Sequence, residues 1–128
     1  MRYRLILPPL IVHCCHCRWC QRETGAPFAL NALIESERLQ LLTGDVDVVA
    51  TPSASGKGQR IARCPSCRVA LWSHYYGAGE RLSFVRVGTL DDPEIAHPAM
   101  TIWTSSAPSW ACFDEGLPQV ERQPPPVA

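Results

Sequence analysis

The sequence predicts an all-β domain with short helical turns, and three observations carry that reading. Apolar residues fall in runs of about four to eight, rich in Val, Ile and Leu, that are cut off by Pro, Gly, Asp and Ser, as strands joined by turns require. Between two such runs stands Cys64-Pro65-Ser66-Cys67, which makes a strand, a metal-binding turn and a returning strand, the staple of many small β domains. The chain has 128 residues, enough for one domain with one core. A domain of that size removes roughly two thirds of its unfolded surface from water.

Taken in order, residues 2 to 7 and 10 to 13 are two short core strands parted by Pro8-Pro9, which cannot continue a sheet ladder. They are expected to deliver Cys14 and Cys15 to the loop beyond. This apolar stretch is too short and too broken by proline for an export signal or a membrane span, so the cytoplasm, where thiols stay reduced, is the expected address. Cys17 to Thr24 suits a turn or two of helix stopped by Gly25 and Pro27, with Cys17 and Cys20 three apart on one face. Strands are expected over Phe28 to Glu35 and Leu39 to Leu42, then, after the Thr43-Gly44-Asp45 turn, through Val46, Val48 and Val49. Residues 51 to 59 read as a solvated hairpin tip. Gln59 to Arg63 and Val69 to His74 flank the cysteine turn, Tyr75 to Gly79 reverses the chain, and Leu82 to Gly88 is a further strand. Met100 to Thr104 and Trp110 to Phe113 supply the last apolar segments. Residues 1–120 thus form the domain, and 121–128 a Pro-rich tail expected to fray and to take no part in chemistry.

The cysteines carry the chemical signal. Cys15, Cys17 and Cys20 offer three thiolates within six residues. Three protein ligands leave one corner of a zinc tetrahedron open, as a chemical site requires. Cys14 and Cys15 are neighbours on an extended stretch and point to opposite sides, so Cys14 is the spare. Spacing alone leaves another arrangement standing, a closed zinc ribbon of Cys17, Cys20, Cys64 and Cys67. A disulfide framework needs an oxidising compartment, and a redox Cys-x-x-Cys pair needs a thioredoxin-like pattern that neither cluster has. Lys plus Arg and Asp plus Glu both count 12, which leaves no basic footprint for nucleic acid or an anionic membrane.

Other residues are assigned more modest roles. His16 is expected outside the ligand set, either behind it or exposed, and His13 and His74 are candidate substitutes for missing partners of Cys64 and Cys67. Cys112 reads as a small buried hydrophobe. Trp19, Trp72, Trp103 and Trp110 read as core and pocket wall, with Trp19 placed to line substrate access, and Arg18 and Arg22 as surface charge.

Several stretches together are similar to one family. Cys15-His16-Cys17-x-x-Cys20-Gln21-Arg22, Gly25-Ala26-Pro27-Phe28, Arg63-Cys64-Pro65-x-Cys67, Val87-Gly88-Thr89-Leu90-Asp91-Asp92-Pro93, Ile102-Trp103, Trp110 and Gly116-Leu117-Pro118 occur in the order of the glutathione-dependent formaldehyde-activating enzyme family, whose domain is shared with centromere protein V. The resemblance implies an Mss4-like or β-tent fold and two zinc sites: a catalytic one at Cys15, Cys17 and Cys20, and a structural one using Cys64 and Cys67. It implies a carbon–sulfur lyase, S-(hydroxymethyl)glutathione synthase-like, acting on glutathione or another small thiol and formaldehyde or a related aldehyde. The alternative, suggested by the centromere protein branch, is a non-catalytic, zinc-stabilised binding module. Family members open with a Gly-x-Cys-x-Cys-Gly stretch ahead of the segment that matches Met1-Arg2-Tyr3, and they carry glycine where Arg68 stands. The expectation is therefore that the Cys64/Cys67 site is incomplete in this sequence, or that the true start lies upstream of Met1.

Overall fold

The computed structural model describes residues 1–126. They form β1 (Arg2–Leu5), β2 (Ile11–Cys15), α1 (Arg18–Thr24), β3 (Ala29–Glu35), β4 (Leu39–Thr43), β5 (Asp47–Thr51), β6 (Gln59–Arg63), β7 (Ala70–Tyr75), β8 (Leu82–Arg86) and β9 (Met100–Ile102), with short 3-10 turns between. The all-β expectation with short helical turns is borne out. Seven strands make one sheet in the order β5-β6-β7-β8-β3-β2-β9, antiparallel except for the β2/β9 pair, and β1 and β4 form a separate hairpin-like sheet. No helix among the described residues is long and apolar enough to cross a membrane.

The two faces of the large sheet have different compositions because strand side chains alternate. In β3, Leu30, Ala32 and Ile34 point one way, while Ala29, Asn31 and Leu33 point the other. The register extends both sets across the sheet: Val12 lies opposite Ala32, Ala32 opposite Val85, and Val85 opposite Trp72. These residues, with Ile34, Ala62, Leu71 and Val87, form the main core, and Tyr3, Leu5 and Leu39 of the small sheet pack on it. Tyr3 meets Trp72 edge to face at 5.3 Å between ring centroids, a favourable aromatic geometry. The small sheet therefore closes one face of the large sheet.

The opposite face carries His13, Asn31, Arg86, Ser73, Gln59 and Tyr75, polar side chains at strand positions where a second core would be apolar. A sheet face of this kind is stable only where its groups are hydrogen-bonded or border a cavity. Both conditions hold here, as the site shows.

His74, near the end of β7, donates to or accepts from Ser83 Oγ at 2.9 Å, and burial lowers its pKa, with Arg60 adding to the effect. The unfolded chain then takes up a proton that the folded chain resists. Stability from this residue is complete above the unfolded histidine range, about pH 6.5, and is lost as pH falls from there toward the lower folded value. Urea midpoints at pH 7.5 and 5.5 should differ less in His74→Gln than in the wild type, and an equal difference would remove His74 from the account.

Candidate metal centre

The chain leaves β2 at Cys15 and enters α1 at Arg18, so the first cysteine ends a strand while the other two sit on the first turn of a helix. Cys17 is the N-cap: its backbone is extended, and its Sγ accepts the Cys20 N–H at 3.3 Å. A capping side chain satisfies one of the helix's free N–H groups, so here the cap is a thiol for the same reason that it is elsewhere a hydroxyl. Gly25 ends the helix at φ 65°, its N–H donating to the Gln21 carbonyl at 2.8 Å, the left-handed cap that glycine adopts without strain. Gln21 fastens the loop from within. Its Nε2 donates to the carbonyls of His16 at 2.8 Å and Ser106 at 3.1 Å. The His16 N–H donates to the Ile102 carbonyl of β9 at 3.0 Å.

The result is a buried cluster in which the Sγ atoms of Cys15, Cys17 and Cys20 all lie within 4.8 Å of one another. Thiolates about 2.3 Å from a tetrahedral ion sit about 3.8 Å apart, so a small closing movement suffices for all three to share one ion. Proton affinities favour the same reading. Hydrogen bonds from Cys15 first and Cys20 next hold the Cys17 thiol well below its ordinary range. The bond to Cys17, then that to Cys20, then burial push Cys15 well above it. Cys20 is lowered by Cys15, but Cys17 and burial outweigh this and push it up to about 12. A coordinated thiol gives up its proton outright, so an ion at this position would be held by three thiolates. The donor set is soft and suits a thiophilic divalent ion.

Cys14 points to the other side of β2, where burial raises its pKa to about 11. The structure brings Cys15, not Cys64 or Cys67, to Cys17 and Cys20, so the closed ribbon does not form. All seven cysteines are free thiols. Cys64 and Cys67 make a tight turn in which the Arg68 N–H donates to the Cys64 carbonyl at 2.9 Å and the Cys64 N–H to the Val69 carbonyl at 3.0 Å. Arg68 adopts φ 65° there, in the left-handed region that glycine enters without strain. Backbone N–H groups of Cys67 and then Ser66 lower the Cys64 pKa. Among the described residues no third ligand joins this pair: His13 lines the cavity beside Cys15, and His74 faces Ser83.

Cys15 and Cys17 open onto a cavity of about 610 Å³. Trp19 and Trp103 stand in its wall, with the Arg22 guanidinium 4.7 Å above the Trp19 ring. Tyr75 and Gln59, paired in register on β7 and β6, also line it. Burial first, and the nearby Cys20 second, keep the Tyr75 phenol protonated.

Several sequence expectations change here. The stretch from 51 to 59 borders the cavity through Ser53, Ala54, Ser55 and Gln59, and Ser53 is buried because its Oγ accepts the Gly58 N–H at 3.0 Å. Glu121 and Arg122 accept backbone hydrogen bonds from Ser105 and Trp103, both at 3.2 Å, and residues 123–126 line the cavity. The rest of the expected tail, 127–128, lies outside the described residues. His16 is buried, packed between Phe28 and Phe113 at 5.4 and 4.8 Å, with neither ring nitrogen hydrogen-bonded. Cys112 and Trp110 are exposed, Trp110 by 70 %, because the chain after β9 runs along the surface.

A family model described as glutathione-dependent formaldehyde-activating enzyme matches residues 1–106. The chain belongs to this family. The match spans the thiol cluster and the Cys64/Cys67 turn, and the family name ties it to formaldehyde activation that depends on glutathione. No curated protein matches the chain significantly. In this member of the formaldehyde-activating family, the polar wall residues Asn31 and Gln59, and Arg86 behind them, escaped the sequence reading. The signal available was a polar residue inside an otherwise apolar strand, clearest in Ala29-Leu30-Asn31-Ala32-Leu33-Ile34.

Proposed function

We propose that Cys15, Cys17 and Cys20 hold zinc and that the adjoining cavity is the active site of a carbon–sulfur lyase. Its substrates are a small thiol such as glutathione and formaldehyde or a related aldehyde. The observation that carries this reading is the buried three-sulfur cluster opening on the cavity through Cys15 and Cys17. When bound, zinc supplies a place at which an incoming thiol loses its proton. The cavity walls do the rest. Trp19 and Trp103 exclude water and hold the thiol's body beside the cluster, which raises the effective concentration of the two reactants. The thiolate sulfur then bonds to the aldehyde carbon, and the oxygen takes up a proton to give a hydroxymethyl thioether. Reversal breaks the same carbon–sulfur bond. Tyr75, protonated and in the wall, is the hydroxyl that this chain offers to that oxygen. Reduced thiols and thiol substrates suit a cytoplasmic setting. Cys64 and Cys67 are proposed as a second, two-ligand metal position.

The rival reading, a binding module with a coordinatively closed metal, differs in one measurement. In cobalt-substituted protein, added glutathione should change the visible absorption bands, because a fourth sulfur enters the coordination sphere. A spectrum that stays constant up to millimolar glutathione would favour the binding module.

A further inference from the structure

Arg86 ends β8 on the cavity face of the sheet and is only 7 % exposed. Its Nη1 donates to Asn31 Oδ1 at 3.0 Å and to the Phe84 carbonyl at 3.2 Å, and its Nη2 donates to Ser73 Oγ at 2.8 Å. Nε is buried without a partner. Every acceptor is neutral. Among the described residues no carboxylate lies within ion-pair distance of Arg86, whereas the partly buried Arg63 has Glu23 and Arg38 has Glu35. A buried cation without an anion is strongly disfavoured even after relaxation, so such a group is retained where something nearby balances it.

The register shows what that is. Asn31 sits directly across from Arg86 on one side and from His13 on the other. His13 shares its face of β2 with Cys15. A row of Arg86, Asn31 and His13 therefore crosses three strands and ends beside the thiol cluster. The other titratable groups bordering this face are His13 and Tyr75, an imidazole and a phenol that supply no anion, and the thiols of the cluster. Only the thiols can supply negative charge. A divalent ion on three thiolates carries one net negative charge, and Arg86 carries one positive charge.

We propose that Arg86 is the buried counter-cation of the metal–thiolate centre, a positioning residue that neutralises the loaded cluster from behind the cavity wall through the Asn31 row. The inference rests on the metal reading of Cys15, Cys17 and Cys20.

Two variants separate charge from hydrogen bonding. Arg86→Gln keeps an N–H donor and loses the charge, and Arg86→Lys keeps the charge and loses the planar fork. Zinc affinity is read by competition with a chromophoric chelator, and the folding of each variant by circular dichroism. Arg86→Gln should bind zinc about 10- to 100-fold more weakly, the range seen when contacts behind metal ligands are removed. Arg86→Lys should remain near wild type in zinc affinity. Wild-type affinity in Arg86→Gln overturns the proposal, as does equal weakness in both variants, which would make Arg86 a cross-strand clamp. Should Arg86→Gln fail to fold, a folded Arg86→Lys with weakened zinc binding overturns it equally. A wild-type chain that takes up no metal would instead overturn the metal reading on which the proposal rests.

Discussion

Cys17→Ser will leave the protein folded but take away its metal and its activity. Serine is itself a preferred N-cap, so α1 keeps the hydrogen bond that Cys17 Sγ now accepts from Cys20. The helix and the Gln21 contacts that anchor it have no reason to unravel. What is lost is the sulfur to which the other two cysteines donate hydrogen bonds, the thiol of the three whose proton is held least tightly. A hydroxyl is a poor substitute for a thiolate toward a thiophilic ion. Zinc affinity should fall by more than about 100-fold, the upper end of what contacts behind a ligand account for. Metal analysis of dialysed protein should then show this equivalent absent from the variant and present in the wild type. Condensation of glutathione with formaldehyde should run at the buffer rate. Full metal content with an unchanged rate in Cys17→Ser would show that the three-cysteine cluster is not the working centre.

How much of this was legible in the sequence depends on how local each feature is. The strand Gln59–Arg63 and the helix after Cys17 rest on near neighbours: a turn on one side, Gly25 and Pro27 on the other. Both appear where the pattern places them. The exclusion of Cys14 from the cluster is equally local, since alternation along an extended strand decides it. The Arg86–Asn31–His13 row is not local. It is created by register between strands far apart in sequence, and nothing near Arg86 says that Asn31 will lie beside it. The same limit applies to the loop after β5, which looks like a solvated tip until Ser53 folds inward to cap Gly58. Cys112 and Trp110 fail for a complementary reason. Their apolar neighbourhood reads as core, but the large sheet's two faces are already occupied by the small sheet and the cavity, so the last segment has only surface to follow.

Ile34→Ala tests whether those two faces are independent. Ile34 is fully buried in the main core, on the face of β3 turned away from Asn31 and the cavity, opposite Ser83 of β8. Removing its side-chain carbons deletes their transfer energy and leaves a void that a central strand, fixed by ladders on both sides, cannot collapse to fill. The cost should be about 2–5 kcal/mol, a large share of the roughly 5–15 kcal/mol that holds a domain of this size together. Urea unfolding of metal-free protein should show the midpoint falling with an unchanged slope, since the surface exposed on unfolding hardly changes. The thiol cluster, however, is anchored by β2, α1 and the Gln21 contacts, none of which Ile34 touches from the cavity side. Under conditions where the variant stays folded, its zinc content per chain should equal that of the wild type, the reverse of the pattern expected for Cys17→Ser. A metal content that falls together with the stability would mean that packing on the face covered by the small sheet sets the geometry of the sulfurs, and that the large sheet transmits strain between its two faces.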